Sequence, residues 1–106
     1  MTEYKTLKEF YPYYLTEHNL GVSRSLHFIG TSLVIINLIA FIVSLSFKFL
    51  LMSVFFGYFF AWLGHFVFEK NRPATFKYPL KSLASDFIMF WEMLTFEIPF
   101  KGKLKE

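Results

Sequence analysis

Cysteine is absent from this sequence of 106 residues, and its absence excludes several kinds of chemistry. Without thiols the chain has no disulfide, no thiolate zinc site, no cysteine-ligated iron–sulfur cluster and no cysteine nucleophile. Any metal that the chain binds must therefore be held by histidine nitrogen, carboxylate oxygen or backbone oxygen.

Charge is also scarce, at 18% of the residues, whereas 55% are hydrophobic and 23% aromatic. A soluble domain of this size cannot bury that much apolar surface, so the composition indicates an integral membrane protein with room for one domain. The net charge is +3, and the basic residues are scattered among aromatic ones. This scatter favours topology signals and lipid headgroup contacts and argues against nucleic-acid binding.

Two long runs of the sequence are almost free of charge, and Lys48 separates them. One continuous helix over both runs would be about 60 Å long, twice the ~30 Å thickness of the hydrocarbon layer, with a lysine at its centre. We therefore predict a hairpin of two membrane-spanning helices, over residues 28–46 and 49–68, that turns around Leu45 to Phe49.

Basic residues flank the two predicted spans on the side away from the turn. They are Lys5, Lys8 and Arg24 before the first span, and Lys70, Arg72, Lys77 and Lys81 after the second. The positive-inside rule therefore predicts that both termini face the cytoplasm, in a bacterial inner membrane or, in a eukaryote, the endoplasmic reticulum.

Two further helices are predicted outside the hairpin. Residues 5–18 form an amphipathic helix at the membrane interface, and Ser23 is the expected N-cap of the next helix. A C-terminal helix over residues 82–96, capped by Ser82 or Ser85, either lies at the interface or packs against the hairpin. The predicted fold class is an all-α integral membrane protein, a transmembrane helical hairpin with flanking interfacial or bundle-packed helices.

Two prolines are expected to shape the segment between the second span and the C-terminal helix. Pro73 should end the helix of the second span, and Pro79 should keep the following loop extended.

The three histidines of the chain are placed where they can meet. His27 lies nineteen residues before position 46 and His65 nineteen residues after it. In an antiparallel hairpin both are therefore about 28 Å from the turn, at the cytoplasmic rim of the bilayer. Helix axes ~8–10 Å apart would let the two rings meet, and His18 ends the preceding helix in the same layer. The sequence predicts that all three rings converge.

Glu69 shares a helix face with His65, since it follows four residues later. A carboxylate in the last turn of a helix costs ~0.3–1 kcal/mol unless a cation compensates it, and Lys70, Arg72 or a metal could do so. Histidines with one carboxylate and open positions are the ligand set of non-haem Fe(II), and zinc would also accept them. The alternative is that the histidines bind headgroups or water and that Glu69 pairs with a neighbouring cation. Asp86 is interpreted as a first-turn helix carboxylate.

Two blocks of the sequence resemble a known family. They are EHNLGVSRSLHFIGT, Glu17 to Thr31, and GHFVFEKNRPATFKYPLKSLASDF, Gly64 to Phe87. Both are similar to the signature blocks of the fungal 2-hydroxy fatty acid dioxygenases of phytosphingosine (sphingolipid) breakdown, which short bacterial relatives share. The similarity covers residues 10–94. The longer fungal members contain a further membrane-embedded stretch with an additional histidine, which this chain lacks.

The resemblance implies an iron(II)-dependent alpha-oxidation, in which a 2-hydroxy fatty acid and O2 give CO2 and a fatty acid one carbon shorter. The metal ligands carried over from the family are His18, His27 and His65. Glu69 is expected to be catalytic, either by binding the metal or by orienting a histidine. The substrate carboxylate is expected to bind Arg24, Asn71 or Arg72, with the acyl tail between aromatic helix faces.

Two other functions remain open at this point. The same histidines would suit a zinc-dependent lipid hydrolase, and they would also suit a non-catalytic lipid-binding or assembly protein. Because a two-span chain is too small to enclose a site by itself, a homo-oligomer is expected.

Overall fold

A computed structural model describes residues 4–72 and 77–104, and within these residues the chain is helical and has no β-strand. The helices are α1 (Leu7–Thr16), α2 (Gly21–Ser44), α3 (Phe47–Trp62), a π-helix (Leu63–Glu69) that continues α3, and α4 (Pro79–Leu94). Two continuous helical stretches, Gly21–Ser44 and Phe47–Glu69, are long and apolar enough to cross a membrane. The predicted all-α fold class is confirmed.

Helices α2 and α3 form the predicted hairpin, and its turn is short. Leu45 adopts a left-handed conformation with φ of 56°, and Ser46 then precedes the first residue of α3. Glycine lets the two helices approach closely: a Cβ added at Gly30 would lie 2.8 Å from the Cβ of Phe60. Small residues at such crossings are typical of helices that pack within membranes.

The outer face of the hairpin is apolar and exposed. Only 22% of the most apolar window of the first stretch, and 17% of that of the second, is buried inside the structure. The core helix of a soluble protein would be mostly buried, because its apolar side chains pack against other elements. This hairpin therefore lacks a protein layer around it within the described part of the chain.

The buried hydrophobic core lies at the end of the hairpin away from its turn. There α1, α4 and residues 95–104 pack together, and we call this assembly the cap. Its fully packed side chains are Phe10, Tyr14, Met89, Met93 and Ile98. Phe28 of α2 stacks on Phe90 with ring centroids 4.7 Å apart, which joins the cap to the hairpin.

The helix boundaries differ from those predicted, and α2 shows why. It begins at Gly21 instead of 28, and its N-cap residue is Leu20. Ser23, the expected cap, lies inside the first turn, and its hydroxyl oxygen is 3.0 Å from the Leu20 carbonyl oxygen. The cap acceptor comes from a distant part of the sequence, because the Glu69 carboxylate accepts from the Leu20 N–H at 2.6 Å.

Helix α4 begins three residues earlier than predicted. Pro79 is its first residue, where proline's missing N–H costs nothing and its fixed φ suits the helix. The predictions that Pro79 holds an extended loop and that Ser82 or Ser85 caps the helix are wrong, since both serines are buried within it. The expected helix end at Pro73 lies outside the described residues.

The remaining ends shift by smaller amounts. Helix α1 covers Leu7–Thr16 instead of residues 5–18, and α4 ends at Leu94 instead of 96. The second predicted span, 49–68, is observed as Phe47–Glu69.

Candidate metal centre

The structure brings the three histidines together in a buried cluster. His18 follows α1, His27 belongs to α2 and His65 to the π-helix, and they are 1%, 6% and 3% exposed. One ring nitrogen from each lies within 4.8 Å of the others. The ring centroid of His18 lies 4.6 Å from that of His27 and 4.4 Å from that of His65. We call these three residues the histidine cluster.

His18 is held in the form that binds a metal. Its Nδ1 lies 2.8 Å from the Tyr14 carbonyl oxygen, which can only accept, so Nδ1 carries the proton and Nε2 keeps its lone pair. That Nε2 is buried and has no hydrogen-bond partner among the described residues. Burial, with His27 and His65 close by, holds the pKa of His18 well below its usual value. A neutral ring with one unpartnered buried nitrogen is suited to a cation.

His65 is oriented by a side chain that follows the π-helix. Its Nδ1 lies 2.7 Å from Oδ1 of Asn71. The amide orientation is consistent, because Nδ2 of Asn71 donates to the Glu17 carbonyl at 3.2 Å. Nδ1 of His65 is therefore the donor, and Nε2 is the nitrogen left for a metal.

His27 is oriented by Asp86 of α4. Its Nε2 lies 2.7 Å from Oδ1 of Asp86, so Nε2–H donates and Nδ1 remains for a metal. The Tyr14 hydroxyl donates to the same carboxylate. Burial and the nearby Asp86 raise the pKa of Tyr14, which keeps this phenol a donor. Carboxylate–histidine pairs of this kind fix the ring and increase its basicity in metal sites.

The π-helix sets the position of His65. A π-helix is rare and is frequently found at functional sites. Its end is fixed by Lys70, whose φ of 58° is left-handed, and by the Asn71 N–H, which donates to the His65 carbonyl at 2.9 Å. Gly64 permits close packing on α2, since a Cβ there would lie 3.2 Å from the Cβ of Ser23.

Glu69 lies beside the start of α2. Among the described residues, the group that could hold a metal ion consists of the three histidines and does not include Glu69. Its Oε2 accepts from the Leu20 N–H and from the Ser23 hydroxyl. These contacts fasten the π-helix to α2. The catalytic role expected for Glu69 stays a prediction. Its contacts indicate a second possible role, which is to hold the π-helix against the start of α2.

The three residues expected to bind substrate are placed very differently. Arg24 is fully buried, and its five N–H groups all donate to backbone carbonyls, those of His18, Asn19, Pro99, Lys101 and Gly102. It therefore clamps the C-terminal segment onto the start of α2. Asn71 is occupied with His65 and Glu17, whereas Arg72 is exposed.

Sequence reasoning missed the roles of Tyr14 and Asp86. Asp86 was interpreted as a first-turn carboxylate because the helix start was placed at 82. With Pro79 as the first residue, Asp86 is the eighth and is too far along the helix to serve the dipole. The available signal was a carboxylate in the middle of a largely apolar helix, one of only two acidic residues in α4.

A cavity of about 370 Å³ adjoins the histidine cluster. His27, His65 and Asp86 line it at one end, and Val34, Ser53 and Gly57 line it further along the hairpin. Residues of α4 form its other wall. We call this cavity the lateral groove.

The fold and this centre define a class of small all-helical proteins in which three histidines that could hold a metal ion lie at the end of an apolar hairpin. Within that class, residues 4–98 match the family described as 2-hydroxy-palmitic acid dioxygenase Mpo1-like. The chain belongs to this family, as the resemblance of its two sequence blocks predicted. No significant match was found among curated proteins or solved structures.

Proposed function

We propose that this protein is a membrane-bound, Fe(II)-dependent dioxygenase that shortens 2-hydroxy fatty acids by one carbon. The reaction balances without an external reductant: the 2-hydroxy acid and O2 give the shorter acid, CO2 and water. The observation that carries the proposal is the histidine cluster, with ring nitrogens within 4.8 Å of one another, in a member of this family.

The donor set fits a transition metal. Imidazole suits iron and zinc, and three protein ligands leave positions open for substrate and O2. Bound Fe(II) would supply Lewis-acid activation of the 2-hydroxy acid and one-electron chemistry with O2. The ligands would be Nε2 of His18, Nδ1 of His27 and Nε2 of His65.

The surrounding residues prepare these ligands. Asp86 holds the His27 ring by its Nε2–H, and Tyr14 in turn holds Asp86. Asn71 holds His65, and all three rings of the cluster are buried. Among the residues expected to bind the substrate carboxylate, Arg72 is the proposed contact because it is exposed and directly follows Asn71. Arg24 and Asn71 would support that contact by fixing the backbone around it.

The hairpin is proposed to span the bilayer with both termini on the cytoplasmic side. The exposed apolar faces of its two stretches and the distribution of lysine and arginine support this orientation. The histidine cluster then lies at the rim of the membrane, where a fatty acid headgroup meets water. The small size of the chain also leads us to propose a homo-oligomer, and native mass spectrometry would test this proposal.

Zinc chemistry is the second candidate, and one observation favours it. The grouped ligands of the described residues are three histidines without a carboxylate, which is also the ligand set of one type of catalytic zinc site. Such a protein would hydrolyse lipid esters. Elemental analysis of protein from metal-replete cells separates the two. Sub-stoichiometric metal would favour the remaining alternative, a non-catalytic lipid-binding or assembly protein.

The direct test is a product assay. Protein loaded anaerobically with Fe(II) should convert 2-hydroxypalmitate and O2 to pentadecanoate and CO2, as followed by mass spectrometry. His65→Ala should lose both metal and activity. Asn37→Ala is the matched control, because Asn37 is also buried but its amide donates to its own helix at Leu33. Full activity in His65→Ala would refute the site.

A further inference from the structure

The lateral groove runs from the histidine cluster into the hairpin, and we infer that it selects the length of the substrate's acyl chain. In this inference the tail lies in the groove, the side chain at position 53 sets the longest acid that fits, and the small side chain at position 61 keeps the groove open near the histidine cluster. The inference rests on the proposed function, because it assigns a site to the tail of the proposed substrate.

Small side chains on α3 form one wall of the groove. Ser53, Gly57 and Ala61 of α3 are four residues apart, and His65 of the π-helix follows four residues later, so the four form a row along this helical stretch. All four line the groove. Ser53 is 3% exposed, and its hydroxyl donates to the Leu50 carbonyl of its own helix, so it presents little polarity to a ligand.

A second observation, on the opposite wall, points to a ligand with a polar end. Ser82 of α4 lines the groove and is 4% exposed, yet its hydroxyl has no hydrogen-bond partner in residues 4–72 and 77–104. Buried hydroxyls are nearly always bonded. Ser82 lies one helical turn before Asp86, the carboxylate that bonds His27. It is placed to bond the hydroxyl or carboxylate of an acid whose tail extends along α3.

The groove is open at its side. Tyr58 and Trp62 of α3 are 48% and 41% exposed, and Leu80 and Leu83 of α4 are 80% and 54% exposed. These residues border the groove and continue into the apolar outer face of the hairpin. A fatty acid could therefore enter sideways from lipid without passing its tail through water.

The length of the groove sets a limit. His65 lies twelve positions after Ser53. At 1.5 Å per position the two are ~18 Å apart along the helix, the length of an extended chain of roughly fourteen carbons. The volume of about 370 Å³ lies within the range of small-molecule sites. A substituent at Ser53 would shorten the groove at its far end, and one at Ala61 would close it near the metal.

The experiment compares Ser53→Leu and Ala61→Leu with matched controls. Ser32→Leu is the control for serine, because the Ser32 hydroxyl also bonds its own helix, at Phe28, and Ser32 does not line the groove. Ala40→Leu is the control for alanine. Displacement of radiolabelled 2-hydroxypalmitate from protein in nanodiscs, by 2-hydroxy acids of eight to eighteen carbons, gives the binding profile, and product formation is measured in parallel.

We expect Ser53→Leu to lower the longest well-bound acid by about four carbons, the length of one ~5.4 Å helical turn, and to leave short acids unaffected. Ala61→Leu should weaken binding of every acid in the series at least tenfold. Ser82→Ala should weaken binding about tenfold at all lengths without a shift in preference. Any leucine variant that fails to retain stoichiometric metal is replaced by the valine variant at the same position.

An unchanged length profile in the position 53 variants, or an unchanged affinity in the position 61 variants, would overturn the inference, even if all the proteins turn over substrate. Unchanged affinity in Ser82→Ala would overturn the placement of the polar end. If the binding profiles shift as expected but neither the wild-type protein nor any variant forms product, the groove assignment stands and the dioxygenase proposal fails.

Discussion

Replacing Glu69 tests whether its carboxylate serves catalysis or fastens the π-helix to the start of α2. The carboxylate accepts from the Leu20 N–H and the Ser23 hydroxyl. Loss of a helix N-cap costs ~0.5–2 kcal/mol, and loss of a negative charge at a helix N-terminus costs a further ~0.3–1 kcal/mol. Glu69→Ala should therefore lower the free energy of unfolding by about 1–3 kcal/mol. Glu69→Gln keeps an acceptor oxygen and should lose only ~0.3–1 kcal/mol.

The assay is equilibrium unfolding in mixed micelles, followed by circular dichroism, together with Fe(II) affinity and kcat on 2-hydroxypalmitate. Ser23→Ala, alone and combined with Glu69→Ala, measures the coupling between the two side chains, and the double variant should be less destabilised than the sum of the single ones. If Glu69→Gln has normal stability and metal content but loses kcat more than a hundredfold, the capping account is insufficient and the catalytic prediction is right.

Three further predictions concern Asp86, His18 and Leu45. Asp86→Asn should weaken metal binding about 10–100-fold, because the partner that orients His27 loses its charge; competition with a fluorescent chelator measures this, and unchanged affinity would contradict the assigned role. Burial lowers the pKa of His18 in the folded chain, so the unfolded chain binds the proton more readily. The metal-free protein should therefore be fully stable above about pH 6.5 and should lose stability as the pH falls below that value. Unfolding curves between pH 5 and 8 check the sign, with a flatter response expected in His18→Gln. Leu45→Gly should raise the free energy of unfolding by about 1 kcal/mol, since glycine removes the strain of a left-handed leucine; a loss of stability would refute that reasoning.

The hairpin and the histidine layer were predictable because they depend on regular features of the sequence. Two charge-free runs around Lys48 fix the turn, and residues at equal distance from a turn lie at equal depth. His27 and His65 met for that reason. The π-helix does not change the depth of His65 enough to separate the two rings, since the change in helix type occurs only in the last seven residues of the second stretch.

The details that failed depend on contacts between distant parts of the chain. The start of α2 is set by Glu69, forty-nine residues away from Leu20, so no local capping pattern marks it. The π-helix likewise has no sequence signature of its own. Arg24 looked like a topology charge or a headgroup contact, and it is buried because the segment 99–102 folds back over the start of α2.

The histidine cluster draws its ligands from two parts of the fold. Two of its rings belong to the hairpin, whereas His18 lies in the segment that joins α1 of the cap to α2. A hairpin can insert into a bilayer before other elements pack against it. A cation held by all three rings would bind only after α1 has packed against the hairpin, and it would then stabilise that contact.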